Sequence, residues 1–117
     1  MKFAMKAKLR EDGVILFLFG KFDFSVKEEF FHEMKTHELN QRQVFIDLEN
    51  VSFIDSAGIG ILASFAKRCK KLNNRVDLKI VNPQGPVRDV LKLTNFSGLV
   101  PVVDSDSEYS TFTNINT

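Results

Sequence analysis

The stretch "VFIDLENVSFIDSAGIGILASF", Val44 to Phe65, decides the architecture. It opens on "VFIDL", an apolar run of strand length from Val44 to Leu48. A second apolar stretch follows and ends in Asp55 and Ser56, and then Gly58 and Gly60 open a new apolar segment. Leu62, Phe65, Ala66, Cys69 and Leu72 recur at helical spacing, with Lys67, Arg68, Lys70 and Lys71 between them. A strand, a loop and a helix therefore succeed one another, and Ser56 stands where the loop meets the helix. In α/β sheets, functional groups gather at the carboxyl ends of the strands, where such loops lie.

Working outward, Phe3, Met5, Ala7 and Leu9 alternate with Lys6, Lys8 and Arg10, the period of a half-buried strand. Asp12-Gly13 is a tight-turn dipeptide, and "VILFLF" after it reads as a strand buried on both faces, so the first two strands form a hairpin. Ser25 and Glu28 have the spacing of a capping box, which starts a helix near Ser25 with Val26, Phe30, Phe31 and Met34 on its apolar side. Downstream of the central unit, Asn73-Asn74 ends the second helix, and "VDLKIV" alternates Val76, Leu78 and Ile80 for a fourth strand. Pro86 suits the first turn of a further helix, whose inner face is Val87, Val90, Leu91 and Thr94. "LVPVV" is a short fifth strand, placed at an edge by Pro101, and Asp106 to Ile115 forms a last helix through Tyr109 and Phe112.

This order predicts an α/β fold with a mixed sheet of about four to five strands, mostly parallel after the N-terminal hairpin and flanked by about four helices. The core is expected to hold Phe17, Phe19, Val44, Ile46, Leu62, Phe65, Ile80 and Leu91. A length of 117 residues suits one domain, residues 1–117.

Composition narrows the function. Sixteen basic and fifteen acidic residues give a net charge of +1, and the basic cluster Lys67, Arg68, Lys70 and Lys71 reads as a solvated helix face. Twelve Phe, one Tyr and no Trp point to core filling instead of base stacking, so no direct nucleic-acid partner is expected. One cysteine excludes an internal disulfide and any multi-cysteine metal site, and Cys69 reads as a small core residue. No apolar run has the length of a membrane span and the N-terminus lacks a signal-peptide core, so no membrane association and a cytoplasmic location are expected.

Ser56 admits several chemistries. A nucleophile elbow needs glycine two residues before and two after the serine; Gly58 fills one position, but Ile54 occupies the other. The histidines, His32 and His37, lie on the first helix, and nothing brings either beside Ser56. "SAGIG" is neither the phosphate loop that ends in Gly-Lys-Ser/Thr nor a full dinucleotide fingerprint. Neither an enzyme nor a cofactor is expected. Capping of the helix by Asp55 or Ser56, with Gly58 and Gly60 allowing close helix-sheet packing, is the plain structural reading. A phosphorylation switch is compatible with it, since about −1.5 to −2 charges at a helix start spare the fold but not a docking surface.

"GKFDFS", "VFIDLENVSFIDSAGIGIL" and "VRDVLKLTNFSGLVPVVDS" together resemble the STAS-domain family, specifically its stand-alone bacterial anti-sigma factor antagonists. The resemblance spans nearly the whole chain, and its most specific element is the Asp-Ser-Ala/Ser-Gly motif, matched by Asp55, Ser56, Ala57 and Gly58. It implies partner switching. The unmodified antagonist binds an anti-sigma factor that is also an ATP-dependent serine kinase, which frees a sigma factor. Phosphorylation of the motif serine, here Ser56, releases the antagonist, and a serine phosphatase reverses the modification. The resemblance also implies partner-binding roles for Asp23, Asp55, Ser56, Ala57 and Gly58, with Gly20 at the family's glycine closing the second strand. The alternatives are a STAS subunit of a stress-signalling or lipid-transport assembly, or a small nucleotide-binding protein using the Ser56 loop.

Overall fold

The computed structural model describes residues 2–9, 13–36, 43–72, 76–104 and 109. The elements are β1 (Ala4–Leu9), β2 (Gly13–Phe22), a 3-10 turn (Phe24–Val26), α1 (Lys27–Thr36), β3 (Gln43–Ile54), α2 (Ser56–Leu72), β4 (Asp77–Val81), α3 (Gly85–Leu93), a second 3-10 turn (Phe96–Gly98) and β5 (Val102–Val103). They build a five-stranded sheet in the order β1-β2-β3-β4-β5. β1 is antiparallel to β2, and every other pair is parallel. The expected α/β class and hairpin-then-parallel plan are the observed ones, with α1, α2 and α3 as the α-helices among the described residues.

Alternation in the strands makes the main core. Val14, Leu16 and Leu18 of β2, Val44, Ile46 and Leu48 of β3, and Leu78 and Ile80 of β4 are buried in one cluster with the helices. The helices answer with Phe30 and Met34 from α1, Leu62, Phe65, Ala66 and Cys69 from α2, and Val87 and Leu91 from α3. Phe30 sits centrally, its ring edge-on to Phe22 at 5.4 Å and to Phe65 at 5.7 Å. Burial pushes the Cys69 thiol up to about 11, so it stays protonated and behaves as an apolar group.

The sequence reading needs correction in several places. β3 does not end at Leu48 but runs to Ile54, because two bulges absorb the break in its period. Between the pairs Phe17–Asp47 and Phe19–Asn50, β3 contributes one more residue than β2, and between Gly20–Val51 and Lys21–Phe53 it adds Ser52. The buried set on β3 therefore steps from Leu48 to Val51 to Ile54. Gly20 does not close β2; it takes φ +86° at the second bulge, and the strand continues to Phe22.

Helical structure begins near Ser25 as expected, but Ser25 is not its cap. Asp23 is the cap, its Oδ1 accepting the Ser25 N–H at 2.9 Å and the Ser25 hydroxyl at 2.6 Å, and the chain passes through the 3-10 turn before α1. Phe17 and Phe19 are half-buried on the second face of the sheet, whereas the other six expected core residues are buried. Ala7 and Leu9 are exposed, since β1 is an edge strand. Thr94 is exposed as well: its hydroxyl donates to the Val90 carbonyl at 2.9 Å and so serves the C-terminus of α3. The expected turn at Asp12, the Asn73-Asn74 stop and the last helix lie outside the described residues, except that Tyr109 is helical and buried.

Tyr109 covers the second face. It packs on Ile15, Phe45 and Val81, with its ring 5.1 Å from that of Phe45. Its hydroxyl donates to Asp47 Oδ2, and Asp47, only 5% exposed, accepts the Glu49 N–H on Oδ1 at 2.8 Å. One carboxylate thus satisfies the amide freed at the first bulge and the polar tip of a buried tyrosine.

Burial, reinforced by the Asp47 hydrogen bond and by the charges of Asp47 and Glu49, pushes the Tyr109 hydroxyl far above the usual tyrosine range. Folded protein therefore holds a proton that the unfolded chain loses above about pH 10, and the stability tied to this hydroxyl is complete below that pH and falls as pH rises beyond it. Urea midpoints measured from pH 8 upward are expected to drop once the pH passes about 10, and Tyr109→Phe is expected to remove this contribution. Tyr109 is the sole tyrosine, so alkaline absorbance titration reads it alone; a normal tyrosine titration in the folded protein refutes the buried hydrogen bond.

Candidate functional site

The site forms where β2 and β3 end together. Phe22 pairs with Ile54 in the parallel register, and both side chains are buried, so the chains leave the sheet side by side at Asp23 and Asp55. Each aspartate then starts a helical element. Asp55 accepts the Gly58 N–H on Oδ1 at 2.9 Å, and its carbonyl accepts the Ile59 N–H at 2.9 Å, which makes Asp55 the N-cap of α2 and Ser56 its first residue. Asp23 does the same for the turn into α1. Its carboxyl is held below the usual carboxylate range, first by the Ser25 hydroxyl and then by the Ser25 N–H.

Gly58 sets the height of α2 over the sheet. A Cβ there would lie 2.2 Å from the Phe22 carbonyl oxygen and 2.7 Å from Ile54 Cγ1, so no side chain fits without moving the helix. Gly60 has nothing within 4 Å of its equivalent position and is exposed. The close-packing role expected of both glycines belongs to Gly58 alone.

With Asp55 as cap and Gly58 against the strand ends, Ser56 is exposed and Ala57 is half-buried beside it. Asp23, Asp55, Ser56, Ala57 and Gly58 thus occupy one end of the molecule, with both carboxylates engaged by their own helix starts. His32 is exposed on α1, and His37 lies outside the described residues. Among the described residues no group of three or more His, Cys, Asp or Glu side chains is placed to hold a metal ion.

Two features of this end escaped the sequence reading. Phe24, next to Asp23, is 71% exposed, and Phe53, just before Ile54, is 44% exposed. Beside Phe24 a groove of about 260 Å³ opens between Lys27 and Phe31 on one side and Ala57, Gly60 and Ile61 of α2 on the other. The signal was present at Phe24, which lies outside the helical stripe of Val26, Phe30 and Met34. Phe53 was hidden because the bulge before it breaks the alternation that assigns a side chain to a face.

Comparison with known proteins agrees with the fold. Residues 4–109 match the family model described as the STAS domain. A STAS-domain containing protein of Pseudomonas aeruginosa is 26% identical over 83 residues, which cover 71% of this chain and 80% of that protein. A Thermotoga maritima protein, proposed to be an anti-sigma factor antagonist, superposes with a TM-score of 0.79 at 25% identity, covering 92% of each chain. The anti-sigma factor antagonist SpoIIAA in its unphosphorylated form gives 0.74 at 19% identity, covering 94% of this chain and 95% of its own. Its phosphorylated form, from Bacillus, gives 0.69 at 18% and covers 94% and 98%. The likeness to SpoIIAA is one of fold.

The two glycines give opposite expectations from one chemical change. Gly58→Ala must displace backbone or Ile54, and is expected to destabilise by about 1–3 kcal/mol, in the range of overpacking. Gly60→Ala, on an exposed helix position with open space, is expected to stabilise by up to about 1 kcal/mol. Asp55→Ala is expected to cost about 1 kcal/mol as a lost cap. Denaturant unfolding of the three variants checks the set, and equal effects at Gly58 and Gly60 refute the packing role of Gly58.

Proposed function

We propose that this chain, which belongs to the STAS-domain family, acts as an anti-sigma factor antagonist by partner switching, with Ser56 as its phosphorylation site. Unphosphorylated protein binds an anti-sigma factor serine kinase and so frees a sigma factor. The kinase transfers the γ-phosphoryl group of ATP to Ser56 Oγ, the hydroxyl proton passes to the kinase's base, and ADP leaves. A serine phosphatase then uses water to break the phosphorus–oxygen bond, which restores the serine and yields inorganic phosphate. In this reading the chain is a cytoplasmic single-domain regulator and carries no catalytic machinery of its own.

The observation that carries the proposal is the division of labour at the start of α2. Asp55 satisfies the backbone N–H of Gly58, so the exposed Ser56 hydroxyl is not the cap. A phosphate at this first helical position adds about −1.5 to −2 charges where the helix dipole tolerates an anion. The fold keeps its cap while the surface changes. The existence of SpoIIAA in phosphorylated and unphosphorylated forms supports the reading, as does the match of Asp55, Ser56, Ala57 and Gly58 to the family motif.

Ser56→Ala is expected to abolish phosphorylation, to retain kinase binding and to change stability by no more than about 0.5 kcal/mol, as for a surface residue. Ser56→Asp is expected to weaken binding by roughly a hundredfold, about 2.7 kcal/mol. Titration of the parent and both variants against the purified kinase decides the matter, and parent-like affinity of Ser56→Asp refutes charge at Ser56 as the release signal. The purified protein is further expected to hydrolyse neither ester nor phosphate substrates. Turnover that disappears in Ser56→Ala contradicts the regulator reading.

A further inference from the structure

Among the described residues the large hydrophobic side chains that are exposed are Leu9, Phe24, Phe53 and Leu93. Two of them share an end with Ser56. Phe22 and Ile54 are neighbours in the register, and Phe24 and Ser56 each stand two residues beyond that pair. Phe53 pairs with Lys21 at the same end of β3. Leu9 pairs with Val14 at the start of β2, the opposite end of the sheet. Leu93 closes α3, which leads the chain back before the parallel strand β5, and so lies at that opposite end too.

We infer that Phe24 and Phe53 are the aromatic anchors of a docking surface centred on Ser56, and that the groove beside Phe24 receives an apolar side chain of the partner with a carboxylate next to it. The inference rests on the reading of Ser56 as a switch and specifies how the kinase is held. A phenylalanine left 71% in water contributes nothing to the core, yet it supplies the large rigid apolar surface from which interface hot spots are made. Phe53, next to the buried Ile54 and paired with Lys21, adds a second such surface at the same end of the sheet. Among the described residues Lys27 is the charged group lining the groove and no acidic residue lines it, so the complementary occupant is apolar and acidic.

The arrangement also explains how phosphate would release the partner. On a docking surface of this kind, a phosphate on Ser56 has to shed water, and burying an uncompensated charge is costly even where no carboxylate of the partner lies close. Contacts of this type are less sensitive to salt than a surface held by ion pairs.

The test measures affinity of the purified anti-sigma factor kinase for Phe24→Ala, Phe53→Ala, Lys27→Glu and Leu93→Ala, with urea midpoints confirming that each variant is folded. Phe24→Ala and Phe53→Ala are each expected to weaken binding at least tenfold, Lys27→Glu severalfold, and Leu93→Ala less than twofold. If the parent binds and is phosphorylated on Ser56 while both phenylalanine variants bind within twofold of it, the aromatic surface is refuted and the switch stands. Leu93→Ala weakening binding as much as the phenylalanine variants also refutes it. A parent that neither binds the kinase nor accepts phosphate overturns the switch reading, and the docking surface falls with it.

Discussion

The contact between the first turn of α2 and the Phe22 carbonyl is the constraint from which the functional end follows. A Cβ on residue 58 would lie 2.2 Å from that oxygen, so only glycine lets the helix rest directly on the ends of β2 and β3. This close seat leaves little room for the chain between Ile54 and α2, and a single residue, Asp55, makes the connection and the cap together. Ser56 is then forced onto the first helical position, facing out. A helix held farther from the sheet would allow a longer loop and no fixed direction for the serine.

Reading β3 from sequence failed at a definable place. "VFIDL" is a run buried on both faces, but from Glu49 onward buried residues fall every third position, Leu48 to Val51 to Ile54, a spacing that fits neither a strand nor a helix of that length. The two bulges reconcile it, and bulges are a property of pairing between strands, not of either strand alone. Strong local signals survived: the continuous apolar run of β2, the stripe of Leu62, Phe65, Ala66 and Cys69, and Pro86 in the first turn of α3. Ser25 misled because an aspartate two residues earlier competes for the same amides, and sequence spacing does not say which cap wins. At the site, the motif residues from Asp55 to Gly58 were legible, whereas the exposure of Phe24 and Phe53 depends on neighbours distant in sequence.

The second face of the sheet shows how a polar pair is kept inside an apolar layer. Asp47 stands mid-strand, where an unpaired carboxylate is costly, and it persists because both oxygens are used: one by the Glu49 amide and one by the Tyr109 hydroxyl. The first bulge and the residue covering Ile15, Phe45 and Val81 are thereby tied to one side chain. The same bulge sets the direction of the rest of β3, which carries Phe53 and leads to Ser56. The covering of one face and the aim of the site are linked through a single strand.

Separate residues therefore hold the fold and offer the chemistry. Asp23 and Asp55 spend their carboxylates on the helix starts, Gly58 gives up a side chain for close approach, and Ile54 and Phe22 are buried beneath. Exposed at that end, among other groups, are the Ser56 hydroxyl and two aromatic rings, on which the helix starts do not depend. If Ser56 were the cap, modifying its oxygen would remove the hydrogen bond that begins α2, and a change of charge would also be a change of fold. Because Asp55 holds that bond, a phosphate on Ser56 would meet the positive end of the helix without breaking it, and its cost would fall on the proposed docking surface instead of on the fold.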